Sequence, residues 1–158
     1  MTSNRLSRRH LMLGTCALSV TAALPAAAQS LPPIHVVKDP GCACCTAWIG
    51  YLRAQGFEAT VEEVDAEPLA RRKRESGIPH EMTSCHTGYA DGYVLEGHVP
   101  AADIRRLLGE RPDAIGLAVP GMPYGSPGMG PEDQREAYEV RLIRRDGSTE
   151  LFSTYPAA

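Results

Sequence analysis

Apolar positions along this chain change rhythm several times, and each change marks an element. Ile34-His35-Val36-Val37 is a short apolar run that reads as a buried strand. Pro40-Gly41 then turns the chain. From Cys44 the spacing is helical, with Cys45, Trp48, Ile49 and Leu52 recurring at i, i+3, i+4 and i+7, and Gly56 supplies a stop. Residues 57–64 suggest a second strand. Pro68 suits a first helical turn, residues 69–75 a short helix, and Gly77-Ile78-Pro79 its end. Residues 89–95 read as a strand interrupted at Asp91-Gly92. A helix follows from Pro100 or Ala101 with Ile104, Leu107 and Leu108 inward, closed by Gly109 and Pro112. Residues 138–143 and 149–155, joined at Asp146-Gly147, carry a hairpin signal. The stretch before them, 119–131, holds too many Gly and Pro residues for a helix or central strand. Because structured segments follow, it is expected to be an ordered loop over a site rather than a linker. The pattern gives an α/β class with a C-terminal β-hairpin.

The first 28 residues break from this pattern. Arg5, Arg8 and Arg9 form a basic region, an apolar acid-free stretch follows, and Ala26-Ala27-Ala28 offers the small residues of a cleavage site. Residues 1–28 are therefore expected to be a cleaved export signal, with Ser7-Arg8-Arg9-His10-Leu11 resembling the twin-arginine type. The apolar stretch is short for a membrane span, which needs about 20 apolar residues, and no later segment is a candidate. Cys16 lacks the small preceding residue of a lipoprotein anchor and is read as discarded with the signal. Removing 28 of 158 residues leaves 130, one domain covering residues 29–158. Thirteen basic side chains against nineteen acidic ones leave it a net charge of −6, which argues against a nucleic-acid partner. The basic run Arg71-Arg72-Lys73-Arg74 reads as the solvated end of a helix.

Chemistry concentrates in the cysteines. Asp39-Pro40-Gly41-Cys42-Ala43-Cys44-Cys45 places three thiols within four residues at a strand-to-helix turn, and Ser84-Cys85-His86-Thr87 supplies a fourth with a histidine beside it. The order βαβα, then strands and a helix, resembles a thioredoxin-like layout, which implies a mixed sheet with flanking helices and in which a C-x-x-C pair opens the first helix; Cys42 and Cys45 fit it. A helix N-terminus favours thiolates, so these two could act as a thiol–disulfide pair, with Cys42 attacking and Cys45 resolving. That chemistry leaves Cys44 and Cys85 without a use. A copper site uses all four sulfurs, because Cu(I) prefers thiolate and thioether, and imidazole suits both Cu(I) and Cu(II). Thiolates bridging more than one Cu(I) accommodate the neighbours Cys44 and Cys45 better than a single tetrahedral zinc ion does. Zinc stays an alternative, although its paired C-x-x-C spacing occurs only once. Two structural disulfides are a third reading, weakened because bridges favour cysteines that close long loops.

Beyond the cysteines, Met122 and Met129 recur in the Gly/Pro loop and are candidate ligands with His86. His98, just before a helix, reads as a turn or capping residue, His35 and His80 as structural or solvated, and Trp48 as core or a shield for the cluster.

Taken together, Lys38 to Cys45 with Trp48, Ser84-Cys85-His86-Thr87, residues 91–100 and residues 116–129 resemble the exported CopG-type copper-resistance proteins of bacteria. The similarity spans roughly residues 34–155. Ala43 stands where the family often has Gly, which removes no ligand. The resemblance implies a thioredoxin-like fold, a periplasmic location, and copper held by Cys42, Cys44, Cys45 and Cys85, with His86, Met122 and Met129 as further donors. It also implies a role in copper tolerance, with a copper-linked oxidoreductase activity as one form of it and periplasmic copper-handling proteins as partners.

Overall fold

The computed structural model describes residues 30–158; the export signal expected over residues 1–28, Cys16 included, lies outside them. In chain order the elements are β1 (Ile34–Lys38), α1 (Ala43–Ala54), β2 (Ala59–Glu63), α2 (Ala66–Glu75), β3 (His86–Ala90), β4 (Tyr93–Glu96), α3 (Ala101–Glu110), β5 (Gly116–Ala118), β6 (Tyr138–Ile143) and β7 (Thr149–Tyr155). All seven strands form one sheet in the order β2-β1-β3-β4-β5-β6-β7. Pairing is parallel for β1–β2 and β4–β5 and antiparallel elsewhere. The parallel pairs are those whose strands are linked through a helix, as a crossover connection requires.

The sheet is covered on both faces. Helices α1 and α3 bring Trp48, Ile49, Leu52, Ile104 and Leu107 onto Ile34, Val36, Leu95, Leu117, Val140 and Leu142, forming the main core. Period-two alternation sends Thr87, Val94 and Glu96 to the other face, where α2 packs Lys73 against Thr87 and Glu96. Ile78, Val94, Ala118 and Ile143 make a smaller core there. No helix among the described residues is long and apolar enough to cross a membrane.

Four local features differ from the sequence reading. The interrupted strand at 89–95 is a full hairpin: Asp91 (φ 47°) and Gly92 (φ 85°) both adopt the left-handed conformation that a two-residue turn needs. Its first strand starts at His86, so Cys85-His86 is the entry to β3. Helix α3 runs past Gly109 to Glu110, and Arg111, with a φ of 49°, caps it. β5 has three residues, too few to display an alternation. The basic run is not wholly solvated either, because Lys73 is buried on Glu96.

Candidate metal centre

The site is built where β1 passes into α1. Asp39 Oδ1 accepts the Gly41 N–H at 2.8 Å, which sets the tight turn. Cys42 is the N-cap residue of α1, and its sulfur accepts the Cys45 N–H at 3.3 Å. Cys42 and Cys45 are joined as a disulfide, with Cα atoms 5.3 Å apart. Cys45 is buried beneath the helix, while Cys42 keeps partial exposure. Among the described residues, Cys44 and Cys85 are free thiols. Cys44 Sγ lies 3.5 Å from Cys42 Sγ and 3.8 Å from Cys85 Sγ, across 41 residues of sequence. The two segments thus converge: the sulfurs of Cys42, Cys44, Cys45 and Cys85 all lie within 4.8 Å of one another.

Two imidazoles stand against Cys85. His86 Nδ1 and His98 Nε2 are each 3.2 Å from its sulfur, and these three residues form a second cluster able to hold a metal ion. The sequence suggests a turn or capping role for His98; the β3–β4 hairpin instead brings it into the site. Its Nδ1 donates to the Pro127 carbonyl oxygen at 2.7 Å. A carbonyl only accepts, so the proton of the neutral ring sits on Nδ1 and Nε2 presents a lone pair to Cys85. His86 is wholly buried, its ring 4.4 Å from the Trp48 ring, and its Nε2 has no hydrogen-bond partner among the described residues.

Charge follows burial here. Burial, followed by the neighbouring Cys44, pushes the Cys85 thiol up to about 12. Burial holds His98 below the ordinary histidine value and His86 well below it, with His98 adding to the effect at His86. At neutral pH the metal-free site therefore presents neutral imidazoles and a protonated Cys85. Sulfur and uncharged imidazole nitrogen are the donors a soft ion prefers.

The Gly/Pro loop closes over this end of the molecule. Ser126 is fully buried, and Gly128 (φ 85°) packs so tightly that a Cβ there would stand 2.6 Å from Trp48 N and 3.0 Å from Cys44 O. Met129 follows it, half-buried, its N–H bonded to Ser126 O at 2.8 Å. Met122 is 54 % exposed at the start of the loop. Of the two, Met129 stands next to the residue that touches the cysteine turn. His35 pairs with Glu62 and Thr60 on the surface, and Trp48 is core, donating to Val99 O at 2.9 Å.

A protein-family model described as a protein of unknown function, DUF411, matches residues 82–129, which include Cys85, His86, His98 and both loop methionines. A search of curated proteins finds no match. Two solved forms of copper resistance protein CopG are similar to the chain: one is 45 % identical with a TM-score of 0.75, the other 47 % identical with a TM-score of 0.73. In each case the match covers 80 % of this chain and 99 % of the solved one. The chain belongs to the CopG family. Its cysteine cluster is thus the candidate metal centre of a CopG-family protein, set in a mixed α/β fold.

Proposed function

We propose that this CopG-family protein is an exported, periplasmic copper-binding protein that contributes to copper resistance. Cys42, Cys44, Cys45 and Cys85 hold Cu(I) as a thiolate cluster, with His86, His98 and Met129 at its edge and Met122 as an outer thioether. The observation that carries this reading is the convergence of four sulfurs from two segments within 4.8 Å. Cu(I) is the ion that best suits such a set, since thiolates bridging several ions satisfy the sequence neighbours Cys44 and Cys45. The N-terminus of α1 favours the charged sulfurs.

Using all four sulfurs requires the Cys42–Cys45 bridge to be open. Opening it to two thiolates takes two electrons, which an external dithiol supplies as it closes to its own disulfide and gives up its two thiol protons to solvent. A redox role for the bound copper is supported by the imidazoles of His86 and His98 beside Cys85, since imidazole suits both Cu(I) and Cu(II). Periplasmic copper-handling proteins would supply or remove the metal.

The bridge itself favours a second reading. A half-exposed Cys42 paired with a buried Cys45 is the arrangement of a thiol–disulfide oxidoreductase, with Cys42 attacking and Cys45 resolving. Replacing Cys44 or Cys85 with Ser separates the two. Copper stoichiometry should fall while exchange activity at Cys42 and Cys45 survives. Full copper loading by both variants would defeat the copper reading.

A further inference from the structure

Glu96 is completely buried, and the metal site as described makes no use of it. It sits on the α2 face of the sheet, in β4, two residues before His98. Its Oε1 accepts the Ser84 N–H at 2.6 Å and the Lys73 ammonium at 2.5 Å; its Oε2 accepts the Thr87 hydroxyl at 2.7 Å. Lys73, itself only 7 % exposed, reaches over from α2 and also donates to Thr87 Oγ1 at 3.0 Å. One carboxylate therefore holds the residue just before Cys85 and the residue just after His86.

That placement matters because Cys85 stands outside the sheet's ladder. The β1–β3 pairing begins at His86 and the β3–β4 pairing at Thr87. On the loop side the preceding residues are tied to Gly121, which bonds Thr83 O and accepts the Ser84 hydroxyl. On the inner side Glu96 is the anchor. Isolated buried ion pairs are a poor source of stability, since desolvation offsets their attraction and a well-packed apolar pair does as well. An apolar pair cannot accept the Ser84 N–H, however, and a buried donor left unpaired is costly.

We propose that the buried Lys73–Glu96 pair is a positioning device that holds the Cys85 sulfur within reach of Cys44. It deepens the copper reading by naming what sets the geometry of the cluster, and it rests on that reading only for its consequence in metal binding. Glu96 and Lys73 are positioning residues: they touch no metal donor and act through the backbone at Ser84 and the side chain of Thr87.

The test reads sulfur proximity without copper. In the full chain with Cys16, Cys42 and Cys45 replaced by Ser, Cys44 and Cys85 are the only thiols. Their disulfide is equilibrated against glutathione disulfide, which is reduced to two glutathiones as the two cysteines lose their thiol hydrogens. The equilibrium gives the effective concentration of one sulfur at the other. Lys73→Met/Glu96→Leu, which replaces the ion pair with apolar side chains and leaves the Ser84 N–H without its acceptor, should stay folded with some loss of stability to urea and lower the effective concentration about tenfold or more. Glu96→Gln keeps one acceptor oxygen and should give a smaller fall in the same direction, and it decides the matter if the double variant does not fold. An unchanged effective concentration in folded variants overturns the proposal, as does a fall that only tracks lost stability. Copper stoichiometry is then measured in the same variants with all four cysteines restored. Failure of the parent to bind copper would sink the proposed function and leave the proximity result standing.

Discussion

His98 Nδ1 donates to the carbonyl oxygen of Pro127 at 2.7 Å, and this contact decides what the other face of the ring offers to Cys85. The Gly/Pro loop is thus an orienting part of the site as well as a cover. Replacing His98 with Phe keeps an aromatic ring and removes both nitrogens. It should weaken Cu(I) binding by about 10- to 100-fold, the usual cost of losing a ligand-orienting or ligating group. Competition against a chromophoric Cu(I) chelator reads this directly, and unchanged affinity would remove His98 from the site.

Gly128 tests the loop itself. Its φ of 85° strains any other residue, and a Cβ would press on the backbone of Trp48 and Cys44. Gly128→Ala should destabilise the protein by about 1–3 kcal/mol and lift the loop from α1. Unfolding in urea measures the first effect. Faster alkylation of Cys44 in the native variant measures the second.

Copper binding should release protons. With its thiol pushed up to about 12, Cys85 is protonated at any pH where the protein is ordinarily handled, and a metal that takes its sulfur must displace that proton. Affinity should therefore rise by about tenfold per pH unit for this one proton. In Cys85→Ser that component of the slope should vanish. A slope equal in both chains would mean that Cys85 is not a ligand.

Stability of the metal-free protein should fall in acid. His86 and His98 both have folded-state values below the ordinary 6.5. The unfolded chain takes up protons as pH drops below 6.5, whereas the folded chain does not. The favourable difference is fully present above that pH and is lost below it. Urea midpoints between pH 7.5 and pH 5 should decline, and decline less steeply in His86→Phe. The slopes are compared rather than the levels, since Phe changes packing as well.

Much of this was legible in the residues. The helical spacing of Cys45, Trp48, Ile49 and Leu52 gave α1, and these are the side chains it buries. Asp146-Gly147 gave the last hairpin, and the Gly/Pro content of 119–131 gave an ordered loop. His98 was missed because it was read against the helix it precedes instead of the hairpin it follows. Cys85 lies six residues before Asp91 and His98 six residues after Gly92, so pairing about that turn sets them opposite each other. Lys73 was missed for a related reason. Inside a run of four basic residues nothing local distinguishes the one side chain whose partner, Glu96, arrives from 23 residues away. β5 is simply too short to carry a periodic signal.

The central claim is that four sulfurs act as one copper site. The most direct measurement is an anaerobic Cu(I) titration of the reduced protein carrying Cys16→Ser, with reactive thiols counted at each step and again after a chelator strips the metal. All four thiols should lose reactivity together as copper is added and regain it on removal. Protection confined to Cys42 and Cys45, with Cys44 and Cys85 still reactive at saturation, would contradict it.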